Sequence, residues 1–358
     1  MWSEELTMGG TIGRIVGGAG ALAAELAKLA GGDLGPVGLL IGDAGVPPEL
    51  MACVRRTLAG GAVHVKELVI PGGEAGKSWP VISSIYDAAL DAGVTRDGWF
   101  LAVGGGALSD AAGFAAATFL RGIRWAVVPT TLLAQVDAAL GGKTAIDLPQ
   151  GKNLVGAFHL PSWVAIDPCV LESLPRREWR SGFGEVLKCG LLIGGPVWQR
   201  VQEVRPGWEA PAEMSELAEA SARHKCQVVA RDPYEVGERV TLNLGHTIGH
   251  AWEQASRYSG PRHGEAVGVG LLAALRLSER VLRLDPAVRT SVMEVLRRWE
   301  MPVRLPAAAH DGILRALARD KKMRDGVLHW VLLRAPGDPV AMSVGIDLVE
   351  ETLRELEE

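Results

Sequence analysis

Residues 242–253 read LNLGHTIGHAWE, with His246 and His250 four positions apart and Asn243 just ahead of them. At 3.6 residues per helical turn, positions i and i+4 share a face, so both imidazoles of a helix here point the same way. Such a pair can be two metal ligands, one ligand beside a proton carrier, or two neighbours on a surface. It is not the HExxH of zinc peptidases, because the intervening glutamate base is missing. Two other stretches hold compatible donors: Glu185 and Lys188 at i, i+3 in GFGEVLKCG, and His263 in SGPRHGEAVGVG. A carboxylate with two imidazoles is a common zinc set that leaves positions open for substrate.

Anion-binding candidates lie earlier in the chain. Gly104, Gly105 and Gly106 in GGGALSD follow the apolar run WFLAV and precede a helical stretch, with Asp110 one turn in. Backbone without side chains at a helix start suits a pyrophosphate. The loop PGGEAGKS adds Glu74 and Lys77 beyond another strand end. In QVDAALGGKTAIDLPQGKN, Asp137, Lys143, Lys152 and Asn153 crowd a segment of small residues, a donor set for phosphate or carboxylate, which Arg121 in FLRGIRW could join. IVGGAGALAAEL also contains Gly18-x-Gly20-x-x-Ala23, with Asp43 ending the next strand, but a lone match to the dinucleotide fingerprint is a weak signal.

Strands and helices must position these groups. VGLLIGD (37–43), AVHVKELVI (62–70), GWFLAVGG (98–105) and IRWAVVPTT (123–131) read as buried strands, alternating with helical PELMACVRRTLAG, SWPVISSIYDAALDAG and SDAAGFAAATFL. That alternation predicts a parallel sheet with helices on its faces. Beyond WVAIDPCVLESLP the spacing is helical with few strand signals, so the expected division is an α/β domain over 1–175 and a mostly α domain over 176–358, packed around a cleft. The N-terminal stretch has an apolar middle, but Glu4 and Glu5 stand where a signal peptide carries positive charge, so it reads as mature structure. With 358 residues, 48% of them hydrophobic, there is material for sizeable cores. A net charge of −5 without a basic stripe argues against nucleic acid and anionic membrane as partners. No apolar run reaches the roughly 20 residues that span a bilayer. Four scattered cysteines without a CxxC pair fit a reducing cytoplasm.

Several long segments together resemble the 3-dehydroquinate synthase family: GGGALSDAAGFAAATFLRG, VPTTLLAQVDAALGGKTAID, GKNLVGAF, GFGEVLK, the run from Lys225 through Arg239 to LNLGHTIGHAWE, HGEAV, and DKK at 320–322. The resemblance covers nearly the whole chain. It implies an N-terminal Rossmann-like domain for NAD and a helical C-terminal domain that holds zinc, with cobalt as an alternative, through Glu185, His246 and His263. His250 would then be the proton carrier. Asp43, Glu74, Lys77, Gly104 to Gly106, Asp110, Thr130, Thr131, Lys143 and Lys152 would line the cofactor. Lys143, Asn153, Lys188 and Lys322 (or Lys321) would bind the substrate phosphate, with Arg121 reaching across the interface of a homodimer. Asp137, Lys225, Arg239 and Asn243 would hold substrate hydroxyl and carboxylate groups. The implied reaction is that of a phosphate lyase in aromatic amino acid biosynthesis. It converts 3-deoxy-D-arabino-heptulosonate 7-phosphate to 3-dehydroquinate by transient oxidation with NAD, β-elimination of phosphate, re-reduction and aldol closure. Ser109, Ala138, Ala139, Pro233 and Tyr234 depart from the family's usual residues, whereas Glu235 is retained. Two rivals share the plan: another sugar phosphate cyclase, such as an aminodehydroquinate synthase, and a metal-dependent polyol dehydrogenase, which has no need of the phosphate donors.

Overall fold

The computed structural model describes residues 1–257, 259–318, 323–324, 327–357. Lys321 and Lys322, expected at the phosphate, lie outside the described residues. Two compact units emerge: Met1–Leu174 with Lys225–Pro233, and Pro175–His224 with Tyr234–Glu358. The return of Lys225–Pro233 to the first unit is a feature that a single cut after residue 175 does not capture.

In the first unit the elements are β1 (Trp2–Met8), β2 (Thr11–Gly17), α1 (Ala21–Ala30), β3 (Val37–Asp43), α2 (Pro48–Ala59), β4 (His64–Ile70), α3 (Trp79–Asp91), β5 (Trp99–Gly104), α4 (Gly106–Thr118), β6 (Arg124–Pro129), β7 (Lys143–Leu148), β8 (Gly151–Phe158) and β9 (Trp163–Ile166). Seven strands form one sheet in the order β1-β2-β9-β6-β5-β3-β4. Every pair is parallel except the β1–β2 hairpin at the edge. All of β5 is buried, as an unbroken apolar run in a central parallel strand should be. From β3 the chain runs outward to β4, then returns to the other side of β3 as β5. The strand order therefore reverses between β3 and β5, and ligands of such sheets bind beyond the carboxyl ends at that point. Asp43 and Gly104 are those ends.

The fingerprint-like Gly18-x-Gly20 stretch has a different use. Asp167, 5% exposed, accepts from the backbone N–H of Gly20 (3.0 Å) and Leu22 (3.3 Å) at the start of α1. The helix end that could hold a phosphate is filled by the chain's own carboxylate.

The second unit contains α5 (Arg176–Ile193), α6 (Gly195–Glu203), α7 (Pro211–Arg231, up to His224), α8 (His246–Ala255), α9 (His263–Leu282), α10 (Pro286–Arg298), α11 (His310–Ala318), β10 (Met323–Arg324), β11 (Val327–Ala335), β12 (Asp338–Gly345) and α12 (Ile346–Glu355). It is mainly helical, as the spacing predicts, with an antiparallel β10-β11-β12 sheet that the sequence signals did not announce. Helices α5 and α9 are buried over most of their length, and Phe183 of α5 stacks on Trp299 with ring centroids 3.6 Å apart. The four cysteines form no disulfide, and among the described residues no helix is long and apolar enough to cross a membrane.

Candidate functional site

Glycines let three helices of the second unit meet backbone to backbone. A Cβ on Gly184 would stand 2.3 Å from the carbonyl oxygen of Gly264, and one on Gly264 would stand 1.9 Å from that of Ser181. The chain enters α8 at Gly245 with φ 80°, a conformation L side chains rarely adopt, and a Cβ on Gly270 of α9 would lie 1.9 Å from the Gly245 oxygen. These approaches bring Glu185 of α5, His246 of α8 and His263 of α9 together. Nε2 of His263 lies 3.2 Å from Glu185 Oε1, and Nε2 of His246 lies 3.4 Å from the same oxygen. One donor atom from each falls within 4.8 Å of the others.

Glu185 is fully buried, and Lys188 one turn on, 2% exposed, forms an ion pair with it. Burial works against the Glu185 carboxylate, but Lys188 and the two histidines outweigh it and hold the group well below its usual range. Burial, then the Lys188 charge, keeps His246 neutral. Burial also opposes a charge on His263, yet hydrogen bonds to Glu185 and Glu253 push it up to about 10. His250 is exposed, its ring centroid 4.9 Å from that of His246 and 5.9 Å from that of His263. The i, i+4 pair thus divides into a buried donor and a solvent-facing one.

Gly264→Ala should separate the donors without unfolding the unit. Overpacking at a backbone contact costs about 1–3 kcal/mol, and the shift of α9 against α5 falls on His263. Circular dichroism should show the helices retained, while metal analysis after gel filtration shows the ion lost. Full metal content in this variant would contradict the account. Neither Gly184 nor Gly264 stood among the residues singled out from sequence. The available signal was a glycine directly beside a candidate ligand in both GFGEV and RHGEA.

Nearby in the same unit, Arg239 is 2% exposed and Asn243 donates from Nδ2 to Glu235 Oε1 at 2.8 Å, both within or beside the short helical turn Glu238–Asn243. Glu235, kept amid the altered residues Pro233 and Tyr234, orients the Asn243 amide.

The first unit gathers a second cluster. Asp43 accepts from Gly105 N at 3.2 Å and from Gly45 N at 2.7 Å. None of Gly104 to Gly106 has a positive φ. Space is the constraint: a Cβ on Gly104 would meet Leu108 at 2.4 Å and Asp43 at 2.5 Å, and one on Gly106 would meet Ala138 at 2.7 Å. Lys77, 4% exposed, donates to Asp110 at 2.7 Å and to Asn153, with Asp147 at 3.8 Å. Burial raises the Asp110 carboxyl to about 6 against the pull of Lys77. Lys152 pairs with Glu74 at 3.2 Å. Thr130 N donates to Gly104 O at 2.9 Å, and Thr131 Oγ1 accepts from Ala134 N at 3.2 Å. Asn153 therefore joins the Lys77 group here, and Asp147, which sequence reasoning passed over, belongs to it as well.

Asp137 sits in one turn of π-helix, Ala134–Ala138, of a kind that clusters at functional sites. Lys225 donates to its carboxylate at 2.6 Å and to its carbonyl at 2.7 Å. Lys143 is exposed at the start of β7. Arg121 is exposed just past α4 with φ 68°, and the structure does not bring it into the cluster around Lys77.

The family profile described as 3-dehydroquinate synthase N-terminal matches residues 67–181, and that described as 3-dehydroquinate synthase C-terminal matches residues 182–323. Among curated relatives, the 3-dehydroquinate synthase of Xylella fastidiosa is 42% identical over 329 residues, covering 89% of this chain and 82% of the relative. That of Cereibacter sphaeroides is 44% identical over 312 residues, covering 84% of each. Among solved structures, a 2-deoxy-scyllo-inosose synthase complexed with carbaglucose-6-phosphate, NAD+ and Co2+ superposes with a TM-score of 0.87 at 26% identity over 99% of both chains. The 2-epi-5-epi-valiolone synthase of Streptomyces hygroscopicus subsp. jinggangensis, with NAD+ and Zn2+ bound, gives 0.83 at 29% identity over 96% of both. Two consecutive family profiles, and relatives of this closeness matched over most of their length, leave one conclusion: the chain belongs to the 3-dehydroquinate synthase family.

Proposed function

We propose that the chain converts 3-deoxy-D-arabino-heptulosonate 7-phosphate to 3-dehydroquinate and phosphate, with NAD and one divalent metal ion as resident cofactors. The observation that carries the metal is the donor set itself. Nδ1 of His246 lies 3.2 Å from the Leu244 carbonyl and Nδ1 of His263 lies 3.3 Å from Glu253. With the ring protons on those nitrogens, and the Nε2 proton of His263 given up, two Nε2 lone pairs and a buried carboxylate oxygen would face one another, a set that suits a divalent cation. Zinc suits two imidazoles and a carboxylate, and the solved relatives holding Zn2+ or Co2+ together with NAD+ support the same assignment. The crevice at Asp43 and the Gly104–Gly106 turn fits the dinucleotide.

When bound, the metal ion supplies a Lewis acid and NAD a reversible two-electron acceptor. The chain's own residues do the rest. Lys188, Lys143 and Asn153 bind the phosphate and disperse the charge that grows as it leaves. Arg239, a planar donor suited to a carboxylate, holds that group of the substrate, and Asn243, oriented by Glu235, adds a directed donor. Asp137, fixed by Lys225, accepts from a substrate hydroxyl. His250, exposed beside the imidazoles of His246 and His263, takes and returns a proton. Arg121, exposed and carried on left-handed backbone, fits a role in the phosphate site of a second copy in a homodimer. Four cysteines without a disulfide fit the cytoplasm.

Purified protein with the heptulosonate phosphate, Zn2+ and trace NAD should release one phosphate per substrate over many turnovers per NAD, with no net NADH. Accumulation of NADH in step with product would replace this reading with a dehydrogenase.

A further inference from the structure

The face of α8 that carries His246 and His250 carries a third polar group two turns on. Glu253 is 8% exposed, and its Oε2 lies 3.3 Å from Nδ1 of His263. The imidazoles of His246 and His263 are held alike but by different partners. Nδ1 of His246 meets a main-chain carbonyl, Nδ1 of His263 meets a carboxylate, and each Nε2 is turned to Glu185 Oε1. The difference follows from position. His263 is the first residue of α9, where the positive end of the helix dipole weakens an imidazole as a donor, and its side chain is 24% exposed against 9% for His246. A carbonyl suffices for the enclosed ring, while the ring at the helix start has a charged partner.

We propose that Glu253 is a positioning residue of the metal centre: it fixes the Nδ1–H tautomer and ring plane of His263 and strengthens its Nε2 as a metal donor. The inference rests on the metal-dependent reading above. A carboxylate behind a ligating histidine typically contributes about 10–100-fold to metal affinity. With Glu185 it also brings two negative charges to a divalent ion, beside the positive charge of Lys188. His250, Glu253 and His263 also place one donor atom each within 4.8 Å. Use of that set for a second ion would require His263 to bind through both nitrogens as an imidazolate, which the Nδ1–H bond to Glu253 makes unnecessary.

The test uses full-length protein stripped of metal, comparing wild type, Glu253→Gln and Glu253→Ala. Zn2+ is titrated against a chromophoric chelator, and Co2+ is followed by its visible absorption. Glu253→Ala should weaken Zn2+ binding about 10–100-fold. Glu253→Gln, which keeps the shape and a carbonyl acceptor, should weaken it less, and both should shift the cobalt bands. Turnover lost at low zinc should return at high zinc. A wild type that takes up no stoichiometric metal defeats the parent reading. A wild type that binds one ion, with both variants binding it equally tightly and with an unchanged cobalt spectrum, overturns only this inference. A second bound ion that disappears in Glu253→Gln also overturns it, by making Glu253 a ligand. If Glu253→Ala does not fold, the isosteric Gln variant decides alone.

Discussion

Glu185→Ala is expected to bind no stoichiometric zinc and to release phosphate at least about 10³-fold more slowly than wild type, since a Lewis acid contributes several kcal/mol to a barrier. The same change strips Lys188, 2% exposed, of its ion pair with a fully buried carboxylate. Breaking a buried pair from one side costs about 3–5 kcal/mol, so Glu185→Ala should also melt earlier. Stability and metal binding can be separated. Glu185→Gln keeps the volume and one acceptor, and Glu185→Gln with Lys188→Met removes both charges together. The double variant should regain much of the lost thermal midpoint while still binding no zinc and forming no product. Metal content by atomic absorption, thermal unfolding and a phosphate assay read the three effects independently. One zinc per chain in Glu185→Ala, at wild-type rate, would dissolve the assigned centre.

What the sequence revealed follows from which forces act locally. Strands β3 and β5 were legible because a parallel strand covered on both faces is largely apolar, as VGLLIGD and WFLAV are, whereas β4, read as buried, is an edge strand with only Ile70 buried. The β1–β2 hairpin was not legible although WSEELTM alternates, with Trp2, Leu6 and Met8 turned inward, because Glu4 stands at an inward place in that alternation. Strands β7 and β8 carry lysines, glycines and aspartate with little alternation, and they are held by pairing with each other. Within the site, residue types indicated a metal, but no periodicity places Glu185 beside His263. That meeting depends on Gly184 and Gly264, whose meaning lies in space they leave empty. Glu253 was readable in principle, seven residues beyond His246 and therefore on its face. Its role is not legible there because its partner lies on another helix.

Lys77→Met is expected to cost the first unit on the order of 3–5 kcal/mol near neutral pH, lowering its midpoint by on the order of 10 °C, and to abolish tight NAD binding. The penalty should depend on pH in a direction set by Asp110. Burial, partly offset by Lys77, lifts that carboxyl from 3.8 to about 6. A carboxyl whose folded value lies above its unfolded one stabilises the fold while protonated and gives that up as pH rises through the folded value. Without Lys77 the folded value climbs further, so the loss continues to higher pH at about 1.4 kcal/mol per unit. At about pH 5, where Asp110 is protonated in both proteins, the ion pair contributes less and the variant should lie closer to wild type; by about pH 8 the gap should be at its widest. Lys77→Met with Asp110→Asn removes the carboxylate that Lys77 neutralises, so it should recover most of the stability at high pH while NAD binding stays lost. Urea midpoints across this range decide the matter. A deficit that ignores pH, or a double variant no more stable than Lys77→Met, would show that the Lys77–Asp110 pair does not govern this crevice.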